Sequence, residues 1–355
     1  MNEASLRNGI LGSLATAGLG DALGAGTEQW TIEEIFEAHD GPIVTLIQPP
    51  PDTFAGAEGN LKGQITDDTS QMYYLAEDII AADGALDEEV WKNCLLRWAD
   101  NSPHVGNMGP STRPMVEALR TGGNPHRVGL VGTSDRQVAS MGATNGSSMR
   151  VAPAGLIHPG DLEGACQAAL ATCIPTHNTN IAIAAACAIA SGCAEGLKSD
   201  ADPFSVVQAC LWGARRGEEL ARTHPRARVA PGPSIARRTQ LAVQLGMAAT
   251  SLRQALDDIE ALIGNSVMAC ESIPAAIGVF IHAQGDPWDT IVAGSSLGND
   301  TDSIAAIAGS LAGALRGFDA LPQDTYATFA EANRAEHDIE QIADGLVRVA
   351  LGNLS

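Results

Sequence analysis

Gly298-Asn299-Asp300-Thr301-Asp302-Ser303-Ile304-Ala305-Ala306-Ile307-Ala308-Gly309 is the stretch on which the fold turns. After Ser303, the residues Ile304, Ala308, Leu311, Ala312 and Leu315 recur with helical spacing, and Gly317 stops the run. The same grammar follows Thr69, where Met72, Leu75, Ala76, Ile79 and Ile80 stand at i, i+3, i+4, i+7 and i+8. Further helical patterns cover 5–18, 86–99, 113–119, 162–172, 180–194, 204–221 and 252–263, and one or two more close the chain over 325–350. Strand alternation is nearly absent, with 43–48 as the one short candidate. No period of 20 to 50 residues repeats, which removes solenoids. The chain therefore reads as all-α, one domain over residues 1–355.

Composition agrees. Hydrophobic residues make up 45% and charged residues 18%, enough to bury a sizeable core, yet only 4% are aromatic. Ala and Gly at that density favour closely packed helices over sandwiches built from aromatic and β-branched side chains. With 21 Lys+Arg against 42 Asp+Glu the net charge is -21, the wrong sign for gripping nucleic acid or an anionic membrane surface. The longest stretch without charge or histidine, 178–194, is too short and too rich in Ala to span a bilayer, so it predicts a buried helix. No basic, then apolar, leader opens the sequence. The seven cysteines form no C-x-x-C pair and sit largely among alanines. Both features point to a reducing, cytoplasmic setting.

Two segments read as loops. Residues 41–63 carry Pro49-Pro50-Pro51 and several glycines, and 42–63 is long enough to form a lid. Residues 215–238 hold seven of the 21 basic residues, a solvated connector or a basic lip for an anionic substrate.

The chemistry concentrates at two helix starts. Thr66-Asp67-Asp68-Thr69 precedes one helix and Asp300-Thr301-Asp302-Ser303 another. Asp, Ser and Thr are ordinary N-caps, but one carboxylate suffices for a cap. Two in one turn repel each other, and oxygen donors in this pattern suit a hard divalent cation. On the residues alone, capping and metal binding both stand. No H-E-x-x-H and no G-x-S-x-G occurs, which sets aside zinc-hydrolase and serine-nucleophile readings.

Five segments, in order, carry a resemblance. Gly20-Asp21-Ala22-Leu23-Gly24 followed by Glu28, then Gly63-Gln64-Ile65-Thr66-Asp67-Asp68-Thr69, then Asn145-Gly146-Ser147-Ser148-Met149-Arg150-Val151-Ala152-Pro153, then Thr176-His177, and finally 297–309 resemble the motifs of the ADP-ribosylglycohydrolase family. That family includes the enzyme that reactivates ADP-ribosylated dinitrogenase reductase. The resemblance implies a single large orthogonal helical bundle with a dinuclear metal cleft holding two Mg²⁺ or Mn²⁺ ions. It implies Thr66, Asp67, Asp68, Asp300, Asp302 and Ser303 as ligands, with Ser303 standing where the family often has Thr and Asn299 replacing a usual Gly. Glu28, Asp68 and Asp302 fall on catalytic positions. Asn145, Gly146, Ser147, Ser148 and Met149 fall on the substrate loop, where backbone N–H groups and hydroxyls form a nest suited to phosphate. Ser111 lies in a looser phosphate-contact segment, and His177 is expected to touch ribose or phosphate. The implied reaction is hydrolysis of a glycosidic bond in ADP-ribosylated protein or an ADP-ribose conjugate, through an oxocarbenium-like transition state. A smaller nucleoside-like ribosyl N-glycoside is the alternative substrate. A silent binding protein on the same fold is the alternative of another class, and the retained carboxylates speak against it.

Overall fold

The computed structural model describes residues 2–124, 127–133 and 137–354. Asn2 caps the first helix, α1 (Glu3–Gly24), by accepting from the Ser5 N–H. Every residue from Gly9 to Gly24 is buried, so α1 is a central strut rather than a surface amphipath. After it come α2 (Ile32–His39), α3 (Phe54–Ala57), α4 (Asp67–Ala81), α5 (Glu88–Asn101) and α6 (Thr112–Arg120). Two short antiparallel strands, β1 (Leu130–Gly132) and β2 (Gln137–Ala139), pair Leu130 with Ala139 and Gly132 with Gln137. The rest is helical: α7 (Ala152–Leu156), α8 (Leu162–Cys173), α9 (Asn180–Gly196), α10 (Pro203–Thr223), α11 (Ile235–Ala248), α12 (Leu252–Leu262), α13 (Ala269–His282), α14 (Pro287–Ser295), α15 (Thr301–Arg316), α16 (Gln323–Asn333) and α17 (Ile339–Leu354).

One continuous core runs from Leu6 in α1 to Ala350 in α17. At its centre α1 lies along α15, and small residues set the distance between them. A Cβ on Gly24 would stand 2.6 Å from the Asp302 Cα, and Gly12 and Gly313 leave no room for side chains at all. The apolar walls of this core each contribute about 2 kcal/mol per buried Leu or Ile. The Ala-rich α9 is buried from Ile181 to Ala194, as the uncharged run predicts. Among the described residues no helix is long and apolar enough to cross a membrane.

The all-α reading matches the structure, with differences in detail. Residues 43–48 form no strand; the β-pair lies at 130–139, too short to show alternation. The expected loop over 215–238 is mostly helix. Arg215, Arg216 and Arg222 sit on α10, Arg237 and Arg238 on α11, and only 224–234 connects them. The charge run there is the polar side of two helices. Helices α2, α3, α7, α11, α13 and α14 have no counterpart in the sequence reading. The last two are buried almost all round and lack the one-sided periodicity on which that reading depends.

Candidate active site

The two acidic helix starts are held differently. At α4, Thr66 Oγ1 accepts from the Asp68 N–H at 3.3 Å. Asp21, reaching from α1, accepts from the Thr66 N–H at 3.0 Å and from the Thr69 N–H at 3.1 Å. Asp21 is thus a cap supplied by another helix. At α15, Asp300 makes no capping bond; its Oδ2 accepts from Asn145 Nδ2 at 2.6 Å. The Thr301 hydroxyl donates to the Gly24 carbonyl at 2.9 Å and clamps α15 to the end of α1.

Glu28 lies in the connection from α1 to α2, which is tied to the connection after α14. Gln29 and Asn299 both hold positive φ, 70° and 59°. The Gln29 N–H donates to the Asn299 carbonyl at 2.7 Å, and the Asn299 N–H to the Trp30 carbonyl at 2.8 Å. Asn is among the few residues besides Gly that tolerate this region, which explains how it occupies the position. The result is one cavity of about 190 Å³ lined by Glu28, Asp67, Asp68, Asp300, Asp302 and Ser303. Asn107, Met108, Phe54, Asn145, Gly146, Met149 and Val267 complete much of its wall.

Five acids in so small a space are costly to ionise. Burial, then repulsion from Asp300, Asp67 and Asp21, pushes Glu28 up to about 8. Burial, then Glu28 and Asp68, holds Asp302 well above the carboxylate range; burial, then Asp67, does the same for Asp68. Burial raises Asp300 less, to about 6, because Asn145 and Ser303 hydrogen-bond it. One oxygen each on Glu28, Asp68 and Asp302 is buried without a partner. An all-oxygen donor set with orphaned carboxylate oxygens fits a hard divalent cation. Among the described residues no three acid, His or Cys side chains close on one point, so an ion here would draw part of its shell from hydroxyls and water.

The other expected site residues divide. Asn145, Gly146 and Met149 line the cavity, whereas Ser147, Ser148, Ser111, Thr66 and His177 lie buried behind its wall. His177 does not reach the ligand space: its Nε2 meets Thr144 Oγ1 at 3.0 Å and its Nδ1 meets Thr176 Oγ1 at 2.9 Å. Burial, then Arg150, drives it well below the usual imidazole range, so it is neutral. Gly146 has no Cβ because one would press on that ring, 2.9 Å from Nε2. No residue of 215–238 lines the cavity, and Arg216 is taken by Glu163. From 42–63, Phe54 does line it. The sequence reading assigned no role to Asp21, Gln71 or Asn107. A carboxylate in the interior of an apolar helix was the available signal for Asp21.

A sequence model described as ADP-ribosylglycohydrolase matches residues 2–353. The chain belongs to the ADP-ribosylglycohydrolase family. It is 28% identical over 316 residues to the uncharacterized protein YegU of Escherichia coli (strain K12), covering 88% of this chain and 89% of that one. It is 27% identical over 269 residues to the ADP-ribosylarginine hydrolase Tri1 of Pseudomonas putida (strain GB-1), covering 74% of this chain and 61% of that one. A solved ADP-ribosylglycohydrolase-related protein complex superposes with a TM-score of 0.61 over 99% of each chain at 23% identity, which shows the shared helical fold. This family assignment makes the chain a glycohydrolase-type enzyme.

Proposed function

We propose that the chain is a divalent-cation-dependent hydrolase that releases ADP-ribose from ADP-ribosylated protein or from a small ADP-ribose conjugate. The observation that carries this is the convergence of two acidic helix starts, one capped by Asp21 and the other with Asp300 bonded to Asn145, on a single cavity beside Glu28. The residues that would hold two Mg²⁺ or Mn²⁺ ions are Asp67, Asp68, Asp300 and Asp302, with the hydroxyl of Ser303; Thr66, buried outside the cavity lining, would keep its place as the cap of α4. Such ions, when bound, would supply orientation for the ribose hydroxyls and ease the ionisation of a water. The carboxylates of Asp68 and Asp302 place negative charge where an oxocarbenium-like carbon develops positive charge. Glu28 lines the same cavity and carries an unpartnered oxygen, which supports it as the group that would take the proton of the attacking water. The Gly146 backbone and the Asn145 and Met149 side chains hold the sugar against these acids. The Tri1 relative, named for hydrolysis of ADP-ribosylarginine, supports the substrate class.

Two observations favour the smaller nucleoside-like substrate instead. The cavity is below the roughly 300–1,000 Å³ of sites that enclose drug-sized ligands, and among the described residues no Lys, Arg or His lines it to meet a diphosphate. A single experiment decides between them. Purified protein, stripped with chelator and restored with Mn²⁺ or Mg²⁺, is offered ADP-ribosyl-arginine peptide, ADP-ribosyl-serine peptide and purine nucleosides. The expected result is cation-dependent release of ADP-ribose, lost at least 100-fold in Asp68→Asn and Asp302→Asn. Turnover of nucleosides alone would favour the smaller substrate, and undiminished turnover in chelator would overturn the cation-dependent mechanism.

A further inference from the structure

Arg150 is wholly buried, yet the partners of its guanidinium are neutral. Its Nη1 donates to Gln71 Oε1 at 3.0 Å, its Nη2 donates to Thr176 Oγ1 at 2.9 Å, and its plane lies 4.3 Å over the Trp91 ring. A guanidinium has donors and no acceptor, so it fixes each partner atom as an acceptor.

Toward one wall, Gln71 must turn its carbonyl oxygen to Arg150 and therefore its NH₂ to Asp67, where Nε2 donates to Oδ2 at 2.9 Å. Without Arg150 the amide is free to flip and present an acceptor to the carboxylate. Toward the other wall, Thr176 Oγ1 accepts from Arg150, and its own proton then finds its acceptor in His177 Nδ1, 2.9 Å away. The single ring proton of His177 then sits on Nε2 and is donated to Thr144 Oγ1. Thr144 lines the cavity, and with its oxygen accepting from the ring, its own O–H is left to donate into the ligand space.

We propose that Arg150 is a positioning residue that sets hydrogen-bond direction on both walls of the cleft, presenting Asp67 as an oriented carboxylate through Gln71 and Thr144 as a donor through Thr176 and His177. The Asp67 arm rests on the cation-dependent reading above; the Thr144 arm stands without it. A purely electrostatic role makes the opposite forecast. Arg150→Met and Gln71→Glu both make the neighbourhood of Asp67 more negative, and charge alone would tighten a cation in each. Positioning weakens it in each, because both variants face Asp67 with a wrong or unfixed partner.

The test is Mn²⁺ binding to the full chain, by titration calorimetry and by the free-ion electron paramagnetic resonance signal, beside ¹⁵N spectra of the His177 ring. Circular dichroism and gel filtration establish that each variant is folded. Positioning gives Mn²⁺ affinity about tenfold or more weaker in both Arg150→Met and Gln71→Glu, the range typical of outer-shell partners. It also gives an Nε2–H tautomer in the parent chain that is lost in Arg150→Met and in Thr176→Val, with Mn²⁺ affinity unchanged in Thr176→Val. Folded variants that bind Mn²⁺ as tightly as the parent, or more tightly, overturn the Asp67 arm. An Nδ1–H tautomer in the parent overturns the Thr144 arm. If Arg150→Met does not fold, Gln71→Glu and Thr176→Val decide the two arms separately. A parent chain that takes up no Mn²⁺ refutes the cation reading and the Asp67 arm together, while the His177 spectrum still judges the other.

Discussion

Asp21 and Asp302 are both buried aspartates at the cavity end of the α1–α15 pair, and changing each to Asn has opposite expected effects on stability. Asp21 holds two backbone N–H groups at the start of α4, those of Thr66 and Thr69. Asn keeps one acceptor oxygen and turns a donor toward the other N–H. Losing one charge-assisted bond and stranding a buried donor costs about 2 kcal/mol after the relief of desolvation. Asp302 is different. Its Oδ1 has no partner, and Glu28, Asp68 and Asp300 all repel it. Because Asp302 must either carry a repelled charge or take up a proton on folding, replacing it with Asn gains about 1–2 kcal/mol at neutral pH in protein stripped of cations. For a chain of 355 residues, the usual unfolding entropy converts 1 kcal/mol into about 1.3 °C of Tm. Thermal unfolding in chelator should therefore show Asp21→Asn about 3 °C below the parent chain and Asp302→Asn about 2 °C above it. With Mn²⁺ added, the parent should gain stability with concentration by mass action and Asp302→Asn should not. Equal losses of stability for Asp302→Asn and Asp21→Asn in chelator would instead show Asp302 to be a structural partner and not a repelled donor.

Two further expectations concern the scaffold. Gly24→Ala forces a Cβ against the Asp302 Cα and the Thr301 carbonyl; a backbone shift costing about 2 kcal/mol or more should appear as a lower denaturation midpoint together with weaker Mn²⁺ binding. A pH effect should come from the cluster joining α4 to the turn before α17. There His337 faces Glu336 at 3.4 Å and Glu77 at 3.3 Å, and His104 faces Glu336 at 3.1 Å. Burial opposes but the two carboxylates prevail, raising His337; burial likewise opposes but the histidines hold Glu336 low, and His337 and Arg97 hold Glu77 low. A raised histidine stabilises fully below its unfolded value of about 6.5 and stops doing so as pH climbs through its folded value. Lowered glutamates stabilise above about 4.5 and stop doing so as pH falls further. Urea unfolding in chelator should show the deficit of His337→Gln largest between about pH 4.5 and 6.5 and shrinking above that window; a deficit independent of pH would show that the ion pairs contribute nothing.

How much was legible follows from how local each feature is. The helices at Asp67–Ala81 and Thr301–Arg316 were readable because a 3.6-residue period and an acidic start are set by near neighbours. The helices at Ala269–His282 and Pro287–Ser295 were not, since a helix buried on every side shows no polar face. The arginines of 215–238 misled for the converse reason: on α10 and α11 they mark exposed helix faces, and a run of charge looks the same in a solvated loop.

By itself, then, the sequence determined that the chain is helical, that it is packed through small residues, and that carboxylates crowd two helix starts. It also supplied the ordered motifs of the family. Only the tertiary structure decided what each of those groups does. Asp21 became a cap for a helix more than 40 residues away, Asn145 took Asp300, and His177 stayed out of the cavity lining, bonded to Thr144 and Thr176. Capping and periodicity act over one helical turn and are written in adjacent residues. The partner of a buried carboxylate or a buried arginine is chosen by which helices pack together, and that choice rests on the summed burial of the core.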